Sequence, residues 1–395
     1  MRERRDGCDD DAPASASPIT AQFSASRTGS APPDAAPGEH LDTVHAMLAL
    51  ASLPGIGPVR AREWYDRAGS ASGAWASASA DGGAVVAARA WRMAGDALAR
   101  LATVPAAFAP PRPPVAAWAL GDAGYPESLL ALPAPPPVLF ALGDPTLLAR
   151  PRIAIVGTRA LTRYGESVTR ELAGALARAG ACVISGLARG IDGVAHRAAL
   201  DAGGATVAVL GTGIDVPYPT SHTELHAAVV RHGLIVSERA PGSRPTAGAF
   251  PARNRIIAGL ADVTIVVEAG MRSGALLTAM HAMELGRTVA AVPGPIDSAQ
   301  SAGTNELLRD GAMVIASVAD ALALVGLTPA PRQPRAGLDA ESQRVWDALA
   351  RGAVDLDTLA ARTGLPVRAC LTAVTELELS GAVVCEMTGG VRRAV

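Results

Sequence analysis

Seven short apolar runs, at 153–156, 181–184, 206–210, 234–236, 263–267, 288–292 and 313–315, are separated from one another by stretches with helical patterning. A strand that is apolar at every position has to be covered on both faces. Helices between successive strands provide those covers, and they return the chain to the starting edge, so the strands run parallel. The clearest spacer is 165–180, where Val168, Leu172, Ala175 and Ala179 make one apolar stripe with Arg170 and Arg178 above it. The expected fold class is therefore α/β, an extended Rossmann-like, doubly wound and mostly parallel sheet over 111–327, with a small helical N-terminal domain and a C-terminal winged helix.

The flanks read differently. Residues 1–40 are Ala, Ser, Pro and charge with few bulky apolar groups, a composition expected to give a disordered tail. Over 41–110 the pattern is helical and contains Leu53-Pro-Gly-Ile-Gly-Pro58, in which Gly55 and Gly57 permit a tight hairpin and Pro58 suits the first helical position. That signature reads either as a helix-hairpin-helix, SAM-like domain whose amides hold a DNA phosphate, or as a plain turn in a small bundle. Pro-rich segments at 105–114 and 133–137 mark the passage into the main domain, and 328–338 reads as a second linker. In 339–395, a helix at 357–362, a turn at 363–365, a helix at 366–379, a strand at 382–388 and a return after Gly389-Gly390 spell a winged helix. Its second helix sets only Arg368 against Glu376 and Glu378, so protein docking or oligomer stabilisation competes with any reading of a DNA groove.

The net charge of −2 excludes a globally basic nucleic-acid coat, so anion binding has to come from local arginine. Lysine is absent, and 151–200 holds seven Arg against Glu166, Glu171 and Asp192. Every basic contact then comes from a planar guanidinium fork, which matches phosphate bidentately and stacks on bases. Ligands of an open parallel sheet sit outside the carboxyl ends of the strands. Those ends carry Gly157-Thr-Arg159, the loop 185–190, Gly211-Thr-Gly213, Ser237-Glu-Arg239, the loop 268–274 and Pro293-Gly294, a rim of small and cationic turns.

Cys8, Cys182, Cys370 and Cys385 show no CxxC spacing, so neither a disulfide framework nor a metal site is expected. No targeting segment and no run of 18 apolar residues is evident, which points to the cytoplasm and to no membrane association. A nicotinamide or flavin cofactor fails on particular residues: Gly157-Thr-Arg159 replaces GxGxxG, and Ser185 ends the second strand where an acid would hold ribose hydroxyls. His196, one helical turn after Asp192, reads as a structural hydrogen-bond former, as does His281 in its apolar run. Glu268 at a strand end lacks a nucleophile or second carboxylate beside it. No catalytic residue and no cofactor is expected.

Ile155-Val-Gly-Thr-Arg159, Ser185-Gly-Leu-Ala-Arg-Gly-Ile-Asp192, Phe250-Pro-Ala-Arg-Asn-Arg-Ile-Ile257, Ser273-Gly-Ala-Leu-Leu-Thr278, Val292-Pro-Gly294 and Gly303-Thr-Asn305 resemble the DNA-processing protein A (DprA/Smf) family in order, over roughly 120–316. The resemblance implies a non-enzymatic single-stranded-DNA-binding protein of bacterial natural transformation. Such a protein protects incoming strands, displaces single-strand-binding protein, loads a RecA-type recombinase and forms a homodimer through its Rossmann domain. Carried over by motif, the DNA pocket is lined by Gly157, Thr158, Arg159, Ser185, Gly186, Arg189, Gly190, Phe250, Arg253, Asn254, Arg255, Ser273 and Gly274. Phe250 offers a stacking face for an unpaired base, although a core phenylalanine is as ordinary a reading. Two guanidiniums two residues apart cannot easily share one phosphate, so one of Arg253 and Arg255 is expected to pair with Glu268 or Glu238. The runner-up is a Rossmann-type nucleotide-processing hydrolase, phosphoribohydrolase-like, whose PGGxGTxxE-like loop is replaced here by Pro293-Gly-Pro-Ile296.

Overall fold

The computed structural model describes residues 37–108, 113–328, 338–352, 354–385 and 389–394. Most of the expected tail, nearly all of the 328–338 linker and the end of the 382–388 strand lie outside the described residues.

Four helices come first, α1 (Pro37–Ala51), α2 (Pro58–Ala68), α3 (Ala71–Gly82) and α4 (Ala84–Thr103). In the α1–α2 turn Gly55 adopts φ +78, a conformation open to glycine, and Pro58 fills the first position of α2. The sheet then builds through β1 (Val115–Ala119), β2 (Val138–Gly143), β3 (Arg152–Val156), α5 (Arg163–Arg178), β4 (Cys182–Ser185), α6 (Ile191–Asp201), β5 (Ala205–Val209), α7 (Thr223–His232) and β6 (Leu234–Ser237). It continues through α8 (Ala249–Leu260), β7 (Val263–Val266), α9 (Gly274–Glu284), β8 (Thr288–Ala291), α10 (Ala302–Arg309), β9 (Met313–Val314) and α11 (Val318–Ala323). The spacer helix expected from 165 starts two residues earlier, because the Thr162 hydroxyl caps it by accepting the Gly165 N–H.

The nine strands lie in the order β1-β2-β6-β5-β4-β3-β7-β8-β9. From β6 to β9 every neighbouring pair is parallel, whereas β1 with β2 and β2 with β6 are antiparallel. The antiparallel pair is a feature the sequence reading missed: 138–143 directly follows the Pro-rich segment 133–137, yet all six of its residues are buried, with Phe140 opposite Ser237. Period-two alternation splits the core. Ile153 and Ile155 face α5, α6 and α11, while Ala154 and Val156 face the side covered by α7, α8 and α9. Met47, Leu50, Ala74 and Leu101 of the first four helices join that second core, together with Leu139 and Leu142 of β2.

The C-terminal unit has its own core, with Val345, Leu359, Val374, Leu377 and Val391 at its centre. It contains α12 (Ala340–Ala348), β10 (Val354–Asp355), α13 (Leu356–Thr363), α14 (Val367–Leu379), β11 (Val383–Cys385) and β12 (Gly390–Arg393), with sheet order β10-β12-β11. Arg393 packs its guanidinium 4.0 Å over Trp346 and donates to the Trp346 carbonyl, so this cation is spent inside the unit.

Candidate functional site

The strand order places the chain's reversal at the centre of the sheet. From β3 the crossovers step outward to β4, β5 and β6, then the chain returns to lay β7 on the other side of β3. The loops after β3 and β7 therefore diverge and leave a crevice, the usual ligand position in such sheets. A cleft of about 620 Å³ occupies it. Residues from the first turns of α6, α8, α9 and α10 line it, so several helix starts aim their partial positive charge at one space.

The floor is buried and closely packed. The Thr158 N–H donates to the Glu268 carbonyl at 2.7 Å, and the Ile191 N–H to the Thr158 carbonyl at 3.2 Å, which bolts the first loop between its two neighbours. A Cβ on Gly157 would lie 2.5 Å from the Ile191 side chain, and one on Gly190 2.1 Å from the Thr158 carbonyl oxygen. These glycines thus answer to close approach, and Gly190 also sits at φ +80. Ser185 is fully buried and donates its hydroxyl to the Ile155 carbonyl. Gly186 donates its N–H to the Asp192 carboxylate, and a side chain there would meet the Arg253 guanidinium.

Arg253, only 4% exposed, reaches under the cleft and donates to the carbonyls of Gly186 and Val209. Burial pulls its pKa down to about 10, opposed by the attraction of Asp192. Asp192 is pushed up by burial, against the lowering effects of Arg253 and of the Gly186 N–H. Arg255 is paired with Glu238, its side chain 13% exposed and that of Glu238 15%, and it does not line the cleft. Both arginines of the 250–257 motif are therefore engaged with protein groups; the expectation was that one would be, and Glu238 is the acid found.

The groups left facing solvent are fewer. Arg159 is exposed and holds its guanidinium 5.8 Å over the ring of half-buried Phe250. Asn254 donates to the Gly274 carbonyl at 3.0 Å, fixing the loop whose Ser273 hydroxyl caps α9. Arg189 is exposed on the neighbouring loop but is not a lining residue. Two residues enter that the motif comparison did not assign. Exposed Arg272 lines the cleft and, like Arg159, has no carboxylate partner among the described residues. Tyr218 lies 5.0 Å from Phe250, ring to ring. Arg272 was within the loop recognised as cationic, whereas nothing local in the sequence ties Tyr218 to Phe250.

The groups that could have served acid–base chemistry are engaged elsewhere. Glu268, considered as an acid, is buried and accepts from the N–H and hydroxyl of Thr162, so it anchors the start of α5. The Thr206 hydroxyl donates to the Val183 carbonyl and so receives its second contact from His196 Nδ1–H; Nε2 of that ring accepts from the Leu187 N–H. The imidazole is neutral, held down at about 3 by burial, with Arg253 adding to the effect. Its contact fixes Leu187, a buried non-glycine residue at φ +55. Among the described residues no group of three His, Cys, Asp or Glu is placed to hold a metal ion, and no helix is long and apolar enough to cross a membrane.

Helix starts, exposed guanidiniums without carboxylate partners among the described residues, and aromatic rings meet at the switch point of a doubly wound α/β sheet. Residues 116–326 match the family described as DNA recombination-mediator protein A, and 329–387 match the DprA winged helix domain. This chain belongs to the DNA recombination-mediator protein A family. A curated relative, the putative DNA processing protein DprA of Mycobacterium tuberculosis, is 46% identical over 240 residues, covering 59% of this chain and 62% of that protein. Protein Smf of Escherichia coli is 39% identical over 279 residues, 68% of this chain and 75% of its own length. The X-ray structure of DNA processing protein A from Streptococcus pneumoniae superposes with a TM-score of 0.62 at 35% identity, covering 71% of this chain and 97% of that one.

Proposed function

We propose that this protein binds single-stranded DNA at the cleft between the β3 and β7 loops, without catalysis, and acts as a recombination mediator in natural transformation. The observation that carries the reading is the pair Arg159 and Arg272, two exposed guanidiniums without acid partners among the described residues, at a rim formed by helix starts. Isolated phosphates of a flexible strand enter such a cleft, and rings beside it accept unpaired bases. The non-catalytic reading is supported by Asp192, Glu268 and His196, each committed to internal hydrogen bonds. The nucleotide-hydrolase alternative draws no support from them. A mononucleotide retained by the purified protein in mass spectrometry would revive it.

In the cell the protein shields incoming strands, displaces single-strand-binding protein and delivers a RecA-type recombinase, acting in the cytoplasm. It does so as a homodimer joined through the Rossmann domain. The support for that interface is the exposed apolar side chains outside the cleft on this side of the sheet, Met280 and Met283 on α9 and Ile296 after β8, the last almost fully exposed. The domain plan supporting these tasks is the helical unit 41–110, the DNA-binding sheet 111–327 and the winged helix 339–395. On α14 that last unit presents Val367, Leu371 and Leu379 to solvent, which suits protein contact better than a DNA groove.

Titration with fluorescent single- and double-stranded oligonucleotides at two salt concentrations tests the binding step. If about three phosphates are neutralised, the log–log salt slope is roughly −2. A preference for duplex, or affinity independent of salt, refutes the reading. Sedimentation of the parent and of Ile296→Arg tests the dimer, and recombinase ATPase on strands coated with single-strand-binding protein tests loading.

A further inference from the structure

Phe250 cannot offer both of its faces to a ligand. Its ring centroid is 5.0 Å from that of Tyr218 with 30° between the planes, so a tilted Tyr218 ring packs against it. The Arg159 guanidinium stands over the Phe250 ring as well, and Gly211 lies against its edge, where a Cβ would come 3.0 Å from Cδ1. Phe250 is half-buried, while Tyr218, in the loop between β5 and α7, is 37% exposed. Among the described residues the Tyr218 hydroxyl has no hydrogen-bond partner, so no internal polar contact accounts for this ring.

We propose that Tyr218 is the outward stacking platform of the strand-binding surface, with Phe250 as its backing and Arg159 as the neighbouring phosphate contact. A base laid on the free face of Tyr218 extends the Tyr218–Phe250 ring pair, beside which Arg159 stands over Phe250. The division of labour is physical: the arginine reads charge, which every nucleotide carries, and the tyrosine reads the π-face of an unpaired base, which a duplex hides. The ligand class this adds is therefore a strand with accessible bases, and bare polyphosphate is the weaker ligand. The inference rests on the single-strand reading of the cleft.

The test compares the full chain with Tyr218→Ala, Tyr218→Leu and Tyr218→Phe, using a short fluorescein-labelled oligothymidylate and an abasic oligonucleotide of the same length and charge. The parent binds the oligothymidylate more tightly than the abasic strand. Tyr218→Ala loses about tenfold for the oligothymidylate, keeps its affinity for the abasic strand and keeps the salt slope. Tyr218→Leu, which still packs on Phe250, behaves like the alanine variant, and Tyr218→Phe like the parent. Oligothymidylate binding unchanged in Tyr218→Ala overturns the proposal, as does equal loss for both ligands, which would mark a structural role. A parent that binds the two oligonucleotides equally refutes the stacking platform alone. A parent that binds neither refutes the single-strand reading beneath it.

Discussion

Replacing Arg159 by alanine separates the cleft from its scaffold. The side chain is exposed, has no carboxylate partner among the described residues, and touches the protein chiefly through the Phe250 ring at 5.8 Å. An exposed cation–π contact is worth about 0.5–1 kcal/mol, so the fold should lose no more than that. The same guanidinium, on a DNA phosphate, makes a charge-assisted contact of roughly 1–3 kcal/mol, which is about 5- to 150-fold in affinity. One fewer phosphate neutralised also flattens the log–log salt slope by about 0.7 for a single strand. Arg255→Ala is the control: it strands Glu238 at 15% exposure without its partner, and breaking a largely buried pair costs about 3 kcal/mol. Anisotropy titrations over a salt series, run beside thermal unfolding, should show Arg159→Ala weak in binding at nearly parental stability. Arg255→Ala should unfold several degrees lower. If Arg159→Ala binds like the parent with an unchanged slope, the loop after β3 is not part of the DNA site and the cleft assignment fails.

Three further outcomes are expected. Gly190→Ala forces a side chain into φ +80 and onto the Thr158 carbonyl, so it should cost about 3 kcal/mol in unfolding and, by shifting 157–159, weaken strand binding in any folded fraction. His196 has a folded-state pKa near 3, below its unfolded value, so the unfolded state binds the extra proton as pH falls below about 6.5. Stability from this group is present above that pH and is lost on acidification, by about 2 kcal/mol between pH 7 and pH 5; a melting temperature with the opposite trend in a pH series compared with His196→Gln would contradict it. Deleting 339–395, a unit with a core of its own, should leave oligonucleotide affinity within about twofold, and loss of all binding by a still-folded truncation would show a DNA contact in the winged helix.

Much of this protein was written locally in the chain. The parallel sheet follows from runs such as 153–156 and 263–267, because an uninterrupted apolar strand has only one kind of burial available. The family motifs and the rim of glycine and arginine at the strand ends are likewise sequence properties, since close approach at Gly157 and Gly190 admits no other residue. What the sequence left open depends on partners distant in the chain. β1 and β2 become strands because β6 offers an edge for antiparallel pairing, and the short apolar run at 138–143 by itself fits a buried turn as well as a strand. Arg159 and Arg253 are the same residue type in motifs of the same flavour, yet one is exposed and the other carries two backbone carbonyls under the floor. Burial and pairing of a charge are decided by which loops meet it in space, as with Glu238 for Arg255 and Tyr218 for Phe250, and these contacts exist only once the sheet has closed.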